Sequence, residues 1–160
     1  TDRSRGLGDV YKAGITLNQK EEFDLKTLDF IKKNPTSFNY IKSEGIIVPP
    51  EHRYYQVLHD GSFVGFIILI KIIDELIYDE KDNAYELEIG IFDNFKDKSY
   101  ASKAISKLLN ELKHENTFII EAIIKNSNSN LIKMKTLLIS KGFTHNDIYP
   151  KNQLVYRIVL

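Results

Sequence analysis

A chain of 160 residues, 42% hydrophobic and 28% charged, has the length and composition of one globular domain, expected to span residues 1–160. Its 22 Lys and Arg balance 22 Asp and Glu, so no net field draws it to nucleic acid or to an anionic membrane surface. It has no cysteine, which excludes disulfides, thiolate metal sites, iron–sulfur clusters and cysteine nucleophiles and fits a reducing compartment.

The opening Thr1-Asp-Arg-Ser-Arg-Gly-Leu-Gly holds no apolar segment of the signal-peptide kind, and a cytoplasmic location is the expectation. From Glu21 to Lys33, Phe23, Leu25, Leu28, Phe30 and Ile31 recur at helical spacing until Asn34-Pro35 stops them. A second short helix is predicted over Thr36 to Ser43. Arg53 to His59 reads as a strand, and Asp60-Gly61 is a hairpin signal leading into a second strand, Ser62 to Ile73. The apolar run inside that strand, from Phe63, is interrupted by Lys71 and falls short of the roughly 20 residues of a membrane-spanning helix.

A turn at Asp79–Asn83 precedes a strand from Ala84 to Phe92, in which Tyr85, Leu87, Ile89 and Ile91 alternate with Glu86, Glu88 and Gly90. One face is apolar and the other carries two carboxylates. Tyr100 to His114 is the strongest amphipathic helix, with Ala101, Ala104, Ile105, Leu108, Leu109 and Leu112 on one side. A strand from Thr117 to Ile124, a polar stretch Lys125 to Asn130, a helix from Leu131 to Lys141 stopped by Gly142, and a strand from Gln153 to Leu160 complete the chain. The order predicts an α/β fold with three layers.

Chemistry concentrates where the Ala84–Phe92 strand passes through a short polar loop into the following helix. Such a junction presents the free N–H groups of the first helical turn and the positive end of the helix dipole. Here the loop also holds Lys96 and Lys98, so amides and ammonium groups together suit a pyrophosphate, the other reading being a solvated loop that caps a helix. His52, His59, His114 and His145 lack metal-ligand spacing, and no metal is expected.

From about Tyr54 to Phe143 the chain resembles the GNAT superfamily of N-acetyltransferases. The family's cofactor loop, Gln/Arg-x-x-Gly-x-Gly/Ala, falls on Lys96-Asp97-Lys98-Ser99-Tyr100-Ala101, followed by Ser102, and Lys141-Gly142-Phe143 is similar to the family's Lys-Leu-Gly-Phe element. Ser99 stands in place of the first glycine and Lys96 in place of Gln or Arg. A positive φ at Ser99 would carry a Cβ penalty.

The resemblance implies a three-layer fold with a mixed, mainly antiparallel central sheet, acetyl-CoA as co-substrate, and direct transfer of acetyl to a primary amine. Ile89, Gly90 and Ile91 would then meet the pantetheine arm, Gly90 fitting a bulge or a close approach. Asn126 and Asn128 are equal candidates for the asparagine that contacts it, with Asn130 close behind. The base would be Glu121, Glu88 or Glu86. Among these Glu121 is the most anomalous, because a lone carboxylate among apolar strand residues must be solvated, paired or protonated.

The family's tyrosine acid would fall on Leu138, which leaves Tyr149, Tyr156 or another tyrosine as substitutes, or none. The first 50 residues, which hold no chemical motif, would form one wall of the acceptor pocket. The nearest branch is the one that acetylates ribosomal-protein amino termini, and the acceptors in view are a protein N-terminus, a polyamine or a small amine. The alternative is a silent acyl-CoA-binding or protein-interaction module on the same fold. Exposed strand edges permit a homodimer.

Overall fold

The computed structural model describes residues 14–38, 45–73, 78, 83–115, 118–146 and 153–160. Seven strands, β1 (Ile15–Lys20), β2 (Arg53–His59), β3 (Ser62–Lys71), β4 (Ala84–Ile91), β5 (Ile119–Lys125), β6 (Thr144–His145) and β7 (Gln153–Val159), form one sheet in the order β1-β2-β3-β4-β5-β7-β6. Every neighbouring pair is antiparallel except β4 and β5, which run parallel. Helix α1 (Leu25–Lys33) lies on one face of the sheet, and α2 (Tyr100–Lys113) and α3 (Leu131–Ser140) on the other. The expected three-layer mixed α/β architecture is therefore present.

Alternation along the strands sorts the side chains into two cores. Ile67 and Leu69 of β3, Leu87 of β4 and Ile120 of β5 pack with Ile105, Leu108 and Leu112 of α2 and Leu138 of α3. Phe66 and Ile68 of β3 join Tyr54, Phe23, Phe38 and Phe92 beneath α1, which contributes Leu28, Phe30 and Ile31. Glu86, Glu88 and Gly90 lie on this second face. The pattern in the sequence placed them there, but the face is no solvated surface at Glu88, which is only 5% exposed.

Several boundaries differ from the expectation. The first helix starts at Leu25 because the backbone before it is engaged in extended pairing: Phe23 N–H donates to Ile46 O at 2.6 Å, Val48 N–H donates to Glu21 O at 2.8 Å, and Glu22 bridges Ile47. Where the second helix was expected, Pro35 to Ser37 form a turn closed by Ser37 N–H to Asn34 O at 3.1 Å; residues 39–43 lie outside the described residues. Strand β1 was not foreseen, since Asn18 and Gln19 point outward on an edge and dilute its apolar signal. It is held by pairing with β2 from Ile15↔His59 to Lys20↔Tyr54. The two-residue β6 was also missed. The hairpin signal is confirmed: Asp60 (φ 49) and Gly61 (φ 82) both adopt the positive φ that such a turn requires. The Asp79–Asn83 turn lies outside the described residues except at Asn83.

A buried polar network fixes α1 to the sheet. Tyr54 Oη donates to Asp24 Oδ2 at 2.6 Å and lies 2.7 Å from Thr27 Oγ1, while Gln56 Nε2 and Lys20 Nζ also donate to the Asp24 carboxylate. Burial pushes the Asp24 carboxyl up, but these hydrogen bonds from Lys20, Tyr54 and Gln56 outweigh it and hold it below its ordinary value. The network sets the position of Phe30, which matters below.

Candidate active site

Strands β4 and β5 are paired only at Ala84↔Ile119, Tyr85↔Ile120 and Glu86↔Glu121. Beyond these they part. β4 stays with β3 as far as Gly65↔Ile91, and β5 stays with β7 as far as Lys125↔Gln153. Two central strands thus fork, and the fork leaves the facing backbone edges of Leu87–Ile91 and Ala122–Ile124 without each other as partners. A cavity of about 270 Å³ occupies the fork. Its walls come from Glu88, Ile89, Gly90 and Ile91 of β4, Ile123 and Ile124 of β5, Met134 and Leu137 of α3, and Phe30 and Phe38 from the α1 side.

The loop between β4 and α2 closes one end of the cavity, through Lys96, Asp97, Ser99, Tyr100 and Ala101. After a 3-10 turn at Asp93–Phe95, Asp97 (φ 62) and Ser99 (φ 63, ψ 19) both take the left-handed conformation. Left-handed residues in such loops turn successive N–H groups into anion-binding concavities. The first backbone bond of α2 is Lys103 N–H to Ser99 O at 3.1 Å, so the N–H groups of Tyr100 to Ser102 have no acceptor within the helix. Ser99, at the N-cap position, makes no side-chain cap bond. Lys96 Nζ lies 2.9 Å from Asp93, Lys133 Nζ lies 3.6 Å from Asp97, and Lys98 is exposed. Lys133 was not singled out from the sequence; its position on the first turn of α3 is meaningful only once α3 is seen beside the loop.

The positive φ at Ser99 makes the anticipated penalty real. A left-handed L-residue costs about 1 kcal/mol or more relative to glycine. Ser99→Gly is therefore expected to raise the melting temperature by about 2–4 °C for a chain of this size. A lower melting temperature on thermal denaturation would show instead that the Ser99 hydroxyl holds the loop.

The site residues expected from the sequence do not all meet. Glu88 lines the cavity, whereas Glu86, Glu121, Lys98, Ser102 and Asn126 do not. Asn128 does, and its Oδ1 accepts the Asn130 N–H at 2.8 Å, which fixes the entry to α3; Asn130 lies beside it on the cavity wall. Gly90 sits at no bulge; the irregularity of the sheet lies between Val57 and Leu58 of β2. The close approach at Gly90 is by the chain itself, because a Cβ there would lie 2.6 Å from Cε1 and Cζ of Phe66 and 3.1 Å from Cε1 of Phe30.

Glu121 is fully buried, and its Oε1 accepts a short hydrogen bond from the hydroxyl of Tyr78. Arg157, the register partner of Glu121 across β5 and β7, donates to the same Tyr78 hydroxyl at 3.5 Å. Burial raises the Tyr78 phenol pKa, the Glu121 carboxylate raises it further, and Arg157 partly offsets both. The requirement that Glu121 be paired was legible; the identity of Tyr78 was not, since nothing in its local sequence marks it.

Leu138, at the position of the family's tyrosine, is fully buried in the core with Phe143, so this side chain does not face the cavity. Tyr156 is in the same core against His145, and Tyr149 lies outside the described residues. Tyr100 does line the cavity, its Oη 3.1 Å from His59 Nδ1. Among the described residues no group of three or more His, Asp or Glu is placed to hold a metal ion.

No curated protein sequence matches this chain. Solved structures do. Spermidine N-acetyltransferase from Vibrio cholerae, a dodecamer, superposes with a TM-score of 0.60 at 19% identity over 91% of this chain and 92% of that one. N-acetyltransferase PseH from Campylobacter jejuni gives 0.57 at 16% identity over 90% and 96%. RimJ from Mycobacterium smegmatis, in complex with CoA-disulfide, gives 0.52 at 15% identity over 68% of this chain, which spans about half (53%) of that protein. At these identities the likeness is one of fold. A family model matches residues 20–134, a span that takes in both arms of the fork, the loop into α2 and the first turn of α3, and by that match the chain belongs to the acetyltransferase (GNAT) family.

Proposed function

We propose that this protein is an acetyl-CoA-dependent N-acetyltransferase that transfers acetyl directly to a primary amine. The observation that carries the reading is the fork itself. It joins the cationic, amide-rich loop at the start of α2 to the buried carboxylate of Glu88 on the α1 face.

The residues present fit the cofactor. The open edge of β4 at Ile89–Ile91 offers backbone groups to an amide-containing arm, Met134, Leu137 and Ile124 offer apolar cover, and Lys96, Lys98 and Lys133 with the first turn of α2 suit a pyrophosphate. When bound, acetyl-CoA supplies an acyl group activated as a thioester. Glu88 holds the acceptor ammonium and takes its proton, which leaves the neutral nitrogen that transfer requires. Glu121, with Glu86 beside it in register, is a buried acidic group tied to Tyr78 outside the cavity lining. Without cysteine no cysteinyl thioester can form on the protein, which favours direct transfer.

The burial of Leu138 favours one alternative, an acyl-CoA-binding module with no acid for the departing thiolate. Two measurements separate the readings. Acetyl-CoA at about 100 times its Kd stabilises the folded state by about 2.7 kcal/mol, a rise of about 5–11 °C in melting temperature. No shift at millimolar acetyl-CoA overturns both readings. Release of free CoA on addition of an amine panel distinguishes the enzyme from the silent module.

A further inference from the structure

The cavity crosses the sheet, and its far end has a chemistry of its own. On the α1 side the wall is built from Phe30, Phe38 and Ile123, with Asn34 and Ser37 nearby. Phe30 and Phe38 meet edge to face at 5.9 Å between centroids, and Phe30 stands equally far from Phe66. Gly90 permits this arrangement, since a side chain there would strike both Phe66 and Phe30. The wall is thus a rigid aromatic surface beside one buried carboxylate, Glu88.

Cations near that end are Lys125 and Lys96, the latter paired with Asp93 at 2.9 Å. Lys125 Nζ donates to the carbonyl oxygens of Pro35 and Phe38, at 3.4 and 3.5 Å, and so clamps the turn that carries Ser37 and Phe38. Lys96 Nζ already lies 5.9 Å from the centroid of the Phe30 ring. Among the described lining residues the other carboxylate is Asp97, which faces Lys133 at the cofactor loop.

An acceptor with one ammonium and an apolar group beside it satisfies this surface: the ammonium faces Glu88 and the apolar group covers Phe30, Phe38 and Ile123. A second ammonium on the same molecule would lie against the phenyl rings or near Lys125, and among the described residues that line the cavity no carboxylate besides Glu88 and the Lys133-paired Asp97 is there to receive it.

We propose that the acceptor is a primary monoamine carrying an aryl or branched alkyl group within a few bonds of the nitrogen, and that Phe30 and Glu88 select it over polyamines. This rests on the acetyltransferase reading for its role but not for its binding test. Calorimetric titration of the protein, with and without CoA, uses 2-phenylethylamine, spermidine and a dipeptide amide beginning with phenylalanine, at matched ionic strength. Either phenylalanine-like probe is expected to bind at least about tenfold more tightly than spermidine, the scale on which an apolar pocket discriminates. The tighter of the two identifies the source as a small amine or a polypeptide amino terminus.

Phe30→Ala should weaken 2-phenylethylamine about tenfold and change spermidine by less than about twofold, whereas a general loss of structure lowers both together. Spermidine binding as tightly as the aromatic probes, no binding by any probe, or equal losses in Phe30→Ala overturns the inference. Selective binding of the aromatic amine without CoA release in the presence of acetyl-CoA overturns the enzymatic reading alone.

Discussion

Replacing Glu88 with Gln is expected to lower acetyl transfer at pH 7 by about 10²-fold or more, the usual contribution of a positioned general base. The charge is lost while the shape is kept, so the melting temperature and the acetyl-CoA thermal shift should change little. An alkylamine has a pKa near that of lysine, about 10.4, and an α-amino terminus one of about 7.7–8.0, so most of either acceptor is protonated at neutral pH. Raising the pH supplies neutral amine from solution and should narrow the gap between Glu88→Gln and the parent protein. Glu121→Gln serves as the contrast. Glu121 does not line the cavity and its Oε1 is engaged by Tyr78, so its replacement should perturb stability more than rate. A rate loss greater for Glu121→Gln than for Glu88→Gln would move the base to β5.

Gly65→Ala is expected to be the most destabilising conservative change in the sheet. A Cβ at Gly65 would lie 2.3 Å from the carbonyl oxygen of Gly90 and 2.8 Å from Cδ1 of Ile91. The first contact is with backbone, which cannot rotate away. Strands β3 and β4 must separate where Gly65 pairs with Ile91, at a cost of about 3 kcal/mol, or about 6–12 °C in melting temperature. Gly90 and Ile91 line the cavity, so acetyl-CoA affinity should fall as well. Gly90→Ala should cost less, because its Cβ meets the ring of Phe66, a side chain with some freedom to shift. Thermal denaturation of both variants checks the order, and a Gly65→Ala protein melting within about 2 °C of the parent would show that the β3–β4 contact is not tight.

The fold was legible wherever a local period carries it. Alternation in Ala84–Ile91 placed Leu87 on the helix face and Glu86, Glu88 and Gly90 on the other, and the 3.6-residue spacing placed Ile105, Leu108 and Leu112 of α2 in the core. Edge elements were not legible. β1 and β6 owe their existence to partners about 38 and 12 residues away, and Glu21–Phe23 is extended because Ile46–Val48 pairs with it. The loop at Lys96–Ala101 was found because helix entrances announce themselves through charge and polarity. The family pattern raised a left-handed Ser99 only as a condition, and the folded backbone decided it.

By itself, the sequence determined the order of α1, β2 to β5, α2, α3 and β7, the two faces of β4, the absence of any cysteine for covalent transfer, and the cationic loop before α2. All of these depend on residues close together in the chain, where backbone periodicity and side-chain chemistry act directly. Only the tertiary structure decided which glutamate reaches the cavity, that Tyr78 and not a solvent shell meets Glu121, and that Phe30 and Phe38 wall the cavity on the α1 side. Glu86 and Glu88 share a face and a chemistry. They are separated by where β4 parts from β5, and that point is set by pairing between strands more than thirty residues apart.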